Sequence, residues 1–306
     1  MRLKGGTVCS GSYVPASVGT SILQRRVPAS ASRAGTRGGR TMTDPAEIYD
    51  SWFVPALFAP VAEQMAAGTA LPPQARVLDI ACGTGVVART VADRLQGQGQ
   101  ITGLDLNPAM LRVARRRSDA AGLEIDWVQG DAQTLPFPDA AFDLVFCQQG
   151  IQFFPDRAGA VAEMHRVLAP GGEVAVACWR GLARNPFFAH LAQAVQQRVG
   201  SGALAMPFSL DDPLELAGLL QQAGFQDVSV EPIAFTAIYA QPERFVDMQV
   251  MASAAGIRAL QGLSSDELAS VIEAIRAEMA EPVQAAMVGG QLHVPVQGML
   301  ARGIRR

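Results

Sequence analysis

The sequence predicts an α/β fold: a mostly parallel sheet with helices on both faces and a helical insertion before the last of seven strands. Three observations lead there. Short apolar runs of strand length alternate with segments of helical period from Arg76 to Trp179. A glycine-rich turn, Cys82-Gly83-Thr84-Gly85, joins the first such run to the first such helix. Hydrophobic residues make up 49% of the 306 positions and charged residues 17%, a balance that fills a core rather than solvating a disordered chain.

The elements follow in order. Pro45–Ala67 reads as one or two helices, with Trp52, Phe53, Leu57, Phe58 and Val61 at mixed three- and four-residue spacings, before Pro72-Pro73. Arg76–Ala81 is the first strand and Val86–Leu95 its helix. Ile101–Leu106 is the second strand, and Pro108 suits the first turn of the helix after it. Leu123–Val128 and Phe142–Cys147 are the third and fourth strands. A helix over Arg157–Leu168 then breaks at Pro170-Gly171-Gly172 before a fifth strand, Glu173–Trp179. Pro186–Val199 is helical, and Asp211 or Asp212 caps a helix through Leu220. Val228–Ala237 is the sixth strand, Pro242–Val288 a helical insertion with a start at Ser264, and His293–Leu300 the last strand.

Charge is unevenly placed. Residues 1–41 hold Arg2, Lys4, Arg25, Arg26, Arg33, Arg37 and Arg40 and no acid. Of the 25 basic residues, the 18 that remain face 28 acids, a net of -10 over residues 42–306. Such a surface is ill suited to a phosphate backbone, so a nucleic-acid partner is not expected. Three readings of residues 1–41 stay open: a disordered basic tail, a transit-like segment, or a start assigned too early. No apolar run is long enough to span a bilayer, and the expected location is the cytoplasm, or an organelle under the transit reading. The four cysteines and three histidines share no metal-ligand spacing, and no metal is expected.

The segment Val77-Leu78-Asp79-Ile80-Ala81-Cys82-Gly83-Thr84-Gly85-Val86 carries the function. Gly83 and Gly85 let the backbone turn sharply and a ligand approach closely. Gly83-x-Gly85-x-x-Ala88 with Asp105 twenty residues beyond Gly85 also satisfies a loose dinucleotide fingerprint. Asp79 and Asp131 weigh against it, because carboxylates at strand ends repel a pyrophosphate and favour a cationic, phosphate-free nucleotide. Each acid has a plainer reading as well: Asp79 as a cap of the turn, Asp105 as part of the cap before Pro108, Asp131 as a turn residue. Cys82 reads as packing.

The run Val77–Gly85 resembles the first motif of class I S-adenosylmethionine-dependent methyltransferases, in particular the small-molecule group of ubiquinone/menaquinone type. The resemblance continues through Gly103–Asn107, Gly130-Asp131-Ala132, Leu135-Pro136-Phe137, Phe142–Val145 and Arg166–Gly172, about a third of the chain. It implies a Rossmann-like class I methyltransferase fold and S-adenosyl-L-methionine as cofactor. It further implies that Gly83 and Gly85 shape the wall beside the methionine moiety and that Asp79 helps anchor its amino group. Asp105 would take both ribose hydroxyls and Leu106 would pack on the adenine. Asp131 and the N–H of Ala132 would read the adenine edge, with Gln148 near the methyl donor.

Methyl transfer is an in-line displacement at a carbon activated by positive sulfur, so alignment and exclusion of water matter more than a triad. The acceptor belongs outside the carboxyl ends of the strands, which nominates Gln149, Gln152, Phe153 and Phe154 after the fourth strand and Trp179 and Arg180 after the fifth. By resemblance, Tyr49, Trp52 and Phe53 close the pocket from the N-terminal side; the position of the 242–288 insertion before the last strand suggests a lid. Tyr49, His190 and His293 are the candidates for a general base, and none is singled out. The expectation is transfer to a small, apolar or aromatic acceptor by a monomer or homodimer. A nicotinamide-dependent oxidoreductase and a non-catalytic cofactor-binding scaffold are the alternatives.

Overall fold

The computed structural model describes residues 44–200, 202–254, 260 and 262–306, so the three readings of the basic 1–41 segment lie outside the described residues. The chain enters through α1 (Pro45–Ile48), a π-helical stretch (Tyr49–Phe58) and α2 (Ala59–Ala67). Asp44 caps this unit by accepting the N–H of Ala46. The alternating body follows as β1 (Arg76–Ile80), α3 (Val86–Leu95), β2 (Gln100–Asp105), α4 (Pro108–Ala121), β3 (Asp126–Gln129) and β4 (Phe142–Gln148). It continues as α5 (Arg157–Val167), β5 (Leu168–Trp179), α6 (Pro186–Val199), α7 (Pro213–Gln222) and β6 (Gln226–Tyr239). The insertion holds α8 (Phe245–Ala254), α9 (Ser265–Glu278) and α10 (Ala280–Ala285), and the chain closes with β7 (Met287–Val288) and β8 (Gln291–Ile304).

The strand order is β3-β2-β1-β4-β5-β8-β6, with β7 hairpinned onto β8. The first five of these strands are mutually parallel, and β8 runs antiparallel to both β5 and β6. The chain order reverses between β1 and β4, which opens a crevice at their carboxyl ends. Period-two alternation divides the strands between two cores. Ala175, Ala177 and Trp179 of β5 join the core that holds Val61, Val91 and Leu191 of the helices on one face. Val174, Val176 and Cys178 join the opposite core with Val161, Met164 and Leu216.

Two local expectations are corrected. Pro170-Gly171-Gly172 does not break the chain before β5 but lies inside it, with a register irregularity against β4 between Phe142 and Leu144 and a positive φ at Gly171. Met287–Val288, expected as helix, forms a short strand because Gly289 and Gly290 turn it back onto β8. The insertion is helical as expected, and Ser264 and Glu267 close a reciprocal capping box at the start of α9. Met248 and Met279 are buried in the core rather than lining a pocket.

Gly85 sets the turn after β1. It has φ +80°, and a Cβ there would run into the Trp127 ring. Gly85→Ala is expected to lower stability by about 1–3 kcal/mol through strain and overlap together. Gly97→Ala, at φ +77° with open space around it, carries the backbone cost alone and should lose about 1 kcal/mol. Urea unfolding of both variants checks the difference.

Candidate active site

A cavity of about 600 Å³ lies over the carboxyl ends of β1, β2, β4 and β5. Its floor begins at Ala81 and Gly83 of the glycine turn and at Asp105, the last residue of β2. The Asp105 carboxylate accepts the Gly83 N–H on one oxygen and the Asn107 N–H on the other, both at 2.8 Å. Burial raises its pKa, against the lowering effect of these two N–H donors. A carboxylate offers roughly four acceptor positions, so two remain for a ligand.

The roof comes from the N-terminal unit. Tyr49, Phe53, Leu57 and Phe58 line the cavity. The Tyr49 ring stacks on Phe58 at 4.9 Å between centroids and lies 3.5 Å from where a Gly83 Cβ would be. Phe58 in turn stacks on Trp179 at the end of β5. The unit is tied down by charge: Asp50, nearly fully buried, pairs with Arg117 of α4 at 2.5 Å and faces Arg89 of α3 at 4.0 Å, while Glu47 pairs with Arg116. Burial, with the charges of Asp105 and Asp79 behind it, pushes the Tyr49 phenol well above its usual range. The neutral phenol is the form that this environment favours.

Another stretch of the wall holds Gln149, Gln152, Phe153, Phe154 and Trp179, five residues the sequence nominated for the acceptor, together with Gln148, which it nominated beside the methyl donor. Phe188 and Leu191 of α6, Phe208 on the 3₁₀ turn Ala203–Phe208, and Gln249 and Ala252 of α8 complete it. Sequence reasoning missed these. Phe188 and Leu191 sit three residues apart on an apolar helix face, the same signal as any core position. The 242–288 insertion reaches the cavity through α8, where Gln249 and Ala252 sit.

Other expected residues lie elsewhere. Asp79 is 1% exposed and sits beneath the turn, because the odd-numbered positions of β1 face α3; its carboxylate accepts the Ala88 N–H at 3.0 Å. Gly85 packs against Trp127 rather than the cavity. Asp131 is exposed and accepts the Gln133 N–H, and neither it nor Ala132 belongs to the cavity wall. Leu106 stands next to Asp105 with 66% of its surface exposed. Trp52 turns away to stack on Tyr239 beneath Arg244, and Arg180 is engaged by Asp211 at 2.9 Å. His190 is exposed on α6 and His293 lies on β8 opposite Ile238, both off the cavity wall.

The residues present fit S-adenosylmethionine. Asp105 has free acceptor positions for a ribose diol, and Leu106 offers bare apolar surface to an adenine. Among the described residues the wall carries no lysine, arginine or histidine that would answer a pyrophosphate. No group of metal-ligating side chains occurs among the described residues.

A Rossmann-like sheet whose β8 runs antiparallel between β5 and β6, with a glycine turn after β1 and an acid at the end of β2, matches the class I methyltransferase fold. Residues 77–172 match the methyltransferase domain family. The demethylmenaquinone methyltransferase of Thermus thermophilus is 46% identical over 101 residues, which cover 33% of this chain and 46% of that one. Its counterpart from Deinococcus radiodurans is 35% identical over 164 residues, covering 49% of this chain and 68% of that one. The chain thus spans about half the length of the first relative and two thirds of the second. The crystal structure of the YcgJ protein from Bacillus subtilis shares the fold, with a TM-score of 0.54 at 20% identity over 80% of this chain and 97% of that one. The chain belongs to the S-adenosylmethionine-dependent methyltransferase family that includes the demethylmenaquinone methyltransferases.

Asp79 provides a pH test of the buried platform. Burial, reinforced by Asp105, raises its pKa to about 8, against the Ala88 N–H and Arg89. A carboxyl whose folded pKa exceeds its unfolded value binds more protons folded, so its contribution to stability falls as pH rises from about 4 to about 8. Asp79→Asn keeps an oxygen for Ala88 and removes the charge. Its stability relative to the parent should rise by about 1 kcal/mol or more between about pH 5 and pH 8, measured by urea unfolding.

Proposed function

We propose that this enzyme transfers the methyl group of S-adenosylmethionine to a small, apolar or aromatic acceptor held against the aromatic and amide wall. The observation that carries this reading is the division of a single cavity. One end presents Asp105 and the Gly83 turn, and the other presents Phe58, Phe153, Phe154, Trp179 and Phe188. The names of the relatives, demethylmenaquinone methyltransferases, agree with an aromatic ring system as acceptor. The net charge of -10 over residues 42–306 supports a small molecule rather than a nucleic acid.

When bound, the cofactor supplies a methyl carbon activated by positive sulfur. The chain's own part is to bind, align and dry the site. Asp105 holds the ribose hydroxyls, and Leu106 packs on the adenine. Asp131 and Ala132 stand off the cavity wall, and the Gly130 N–H bond to the Asp105 carbonyl holds their loop beside the end of β2. Tyr49, Phe53 and Phe58 shield the glycine turn from water, and α8 acts as part of a lid. Asp79 acts beneath the loop by holding the first turn of α3. Tyr49, held neutral, orients the acceptor as a hydrogen-bond donor. Monomer or homodimer and a cytoplasmic location belong to the same proposal; among the described residues no helix is long and apolar enough to cross a membrane.

Calorimetry tests the cofactor reading directly. S-adenosylmethionine should bind and NADH should not, and Asp105→Ala should weaken binding about 10- to 100-fold through loss of charge-assisted hydrogen bonds. Binding of NADH without S-adenosylmethionine would overturn the proposal.

A further inference from the structure

The roof carries an acid that lies outside the cavity wall. Asp50 follows Tyr49 in the chain and is 5% exposed. Its Oδ2 accepts Nε and Nη2 of Arg117, both at 2.5 Å. Its Oδ1 is buried, accepts no hydrogen bond and stands 4.0 Å from Nη2 of Arg89. A carboxylate withdrawn from water persists where cations answer it, and here the two cations come from different helices.

Those helices begin at the two loops that frame the cavity floor. Arg89 belongs to α3, which starts after the glycine turn, and its guanidinium also donates to the Thr84 carbonyl in the middle of that turn. Arg117 belongs to α4, which starts after Asp105 and is capped by Asn107. Burial lowers the pKa of Arg89, Asp50 works against that loss of charge, and Arg117 adds to it. The two guanidiniums repel each other, and one carboxylate serves both.

The placement of Asp50 governs that of its neighbour. The Tyr49 ring stacks on Phe58 and lies over Gly83, 3.5 Å from where a Cβ would stand. Tyr49, Gly83 and Asp105 line one cavity, and Asp50 fastens the roof residue to both loops from behind. Tyr49–Phe58 is also wound as a π-helix, a rare form concentrated at functional sites.

We propose that Asp50 is a positioning residue for the cofactor: by joining the helix behind the glycine turn to the helix behind Asp105, it holds the Tyr49 ring over the bound molecule and sets how fast that molecule leaves. The inference rests on the reading of this cavity as the S-adenosylmethionine site. Asp50 acts through Tyr49 and the two arginines and does not line the cavity itself. With Asp50 neutral, Arg89 and Arg117 lose their shared counter-charge, and the roof loosens at Tyr49 while the sheet beneath keeps its contacts. Glu47 supplies an internal comparison. It sits earlier on the same unit and pairs with Arg116 of the same α4, but at the surface, where an ion pair contributes little.

The test follows S-adenosylhomocysteine binding to the full chain by calorimetry and stopped-flow fluorescence, with amide hydrogen exchange of residues 45–58 read in parallel. Asp50→Asn should weaken binding about tenfold, chiefly through faster dissociation. It should also erase the protection that the ligand gives to residues 45–58 and leave that of β1 and β4. Tyr49→Ala should weaken binding about as much. Because Asp50 acts through Tyr49, adding Asp50→Asn to Tyr49→Ala should change affinity by no more than about threefold, whereas a merely structural role multiplies the two losses. Glu47→Gln should stay within about threefold of the parent. The proposal is overturned by Asp50→Asn binding within about threefold of the parent, or by losses that multiply in the double variant. Should Asp50→Asn fail to fold, Arg117→Gln, at a half-exposed position, takes its place in the same cycle under the same criteria. Failure of the parent chain to bind either S-adenosylmethionine or S-adenosylhomocysteine is a separate result and removes the cofactor reading itself.

Discussion

The Asp105 carboxylate is gripped by the Gly83 N–H on one oxygen and the Asn107 N–H on the other, and the site takes its position from that double anchor. The parallel pairing of β1 and β2, with Ile80 opposite Leu104, brings the two strand ends level. The carboxylate then ties the turn after β1 to the start of α4, where Asn107 caps the helix through Ala109 and Pro108 fills the first position. The plain reading of Asp105, as part of the cap before Pro108, holds, and the residue lines the cavity as well. It braces the loop with two lone-pair positions and turns the others to the cavity.

Around that anchor the cavity is electrostatically lopsided. Its acid lies at one end, and the far wall is aromatic rings and uncharged amides. Burial raises the pKa of Tyr49, Asp79 and Asp105 alike, each by withdrawing water from the charged form. A dry pocket of this kind strengthens each remaining dipole and suits a cationic cofactor that carries its own leaving group. Chemistry then depends on holding two molecules in line rather than on supplying a strong base.

Enclosure is achieved by ties between distant parts of the chain. Asp50 and Glu47 fasten the N-terminal unit to Arg117 and Arg116 on α4, and Gln148 reaches the Phe58 carbonyl across ninety residues of sequence. The bond to Phe58 both holds the roof and fixes the Gln148 amide in the cavity wall. The Trp179 N–H holds the Gln149 amide in the same way, by a bond to its Oε1.

The sequence by itself determined the alternating sheet, the glycine turn, the acid at the end of β2 and the amide and aromatic residues after β4. These are local signals, written in period-two and helical patterns, in glycines and in cap residues. Tertiary structure alone decided that Asp79 lies under α3, that Arg180 is spent on Asp211, that Trp52 faces Tyr239, and that Phe188 and Gln249 join the wall. The reason is that an apolar or polar residue on a helix looks the same from the sequence whether it meets a core or a ligand. Only the packing of elements far apart in the chain distinguishes the two.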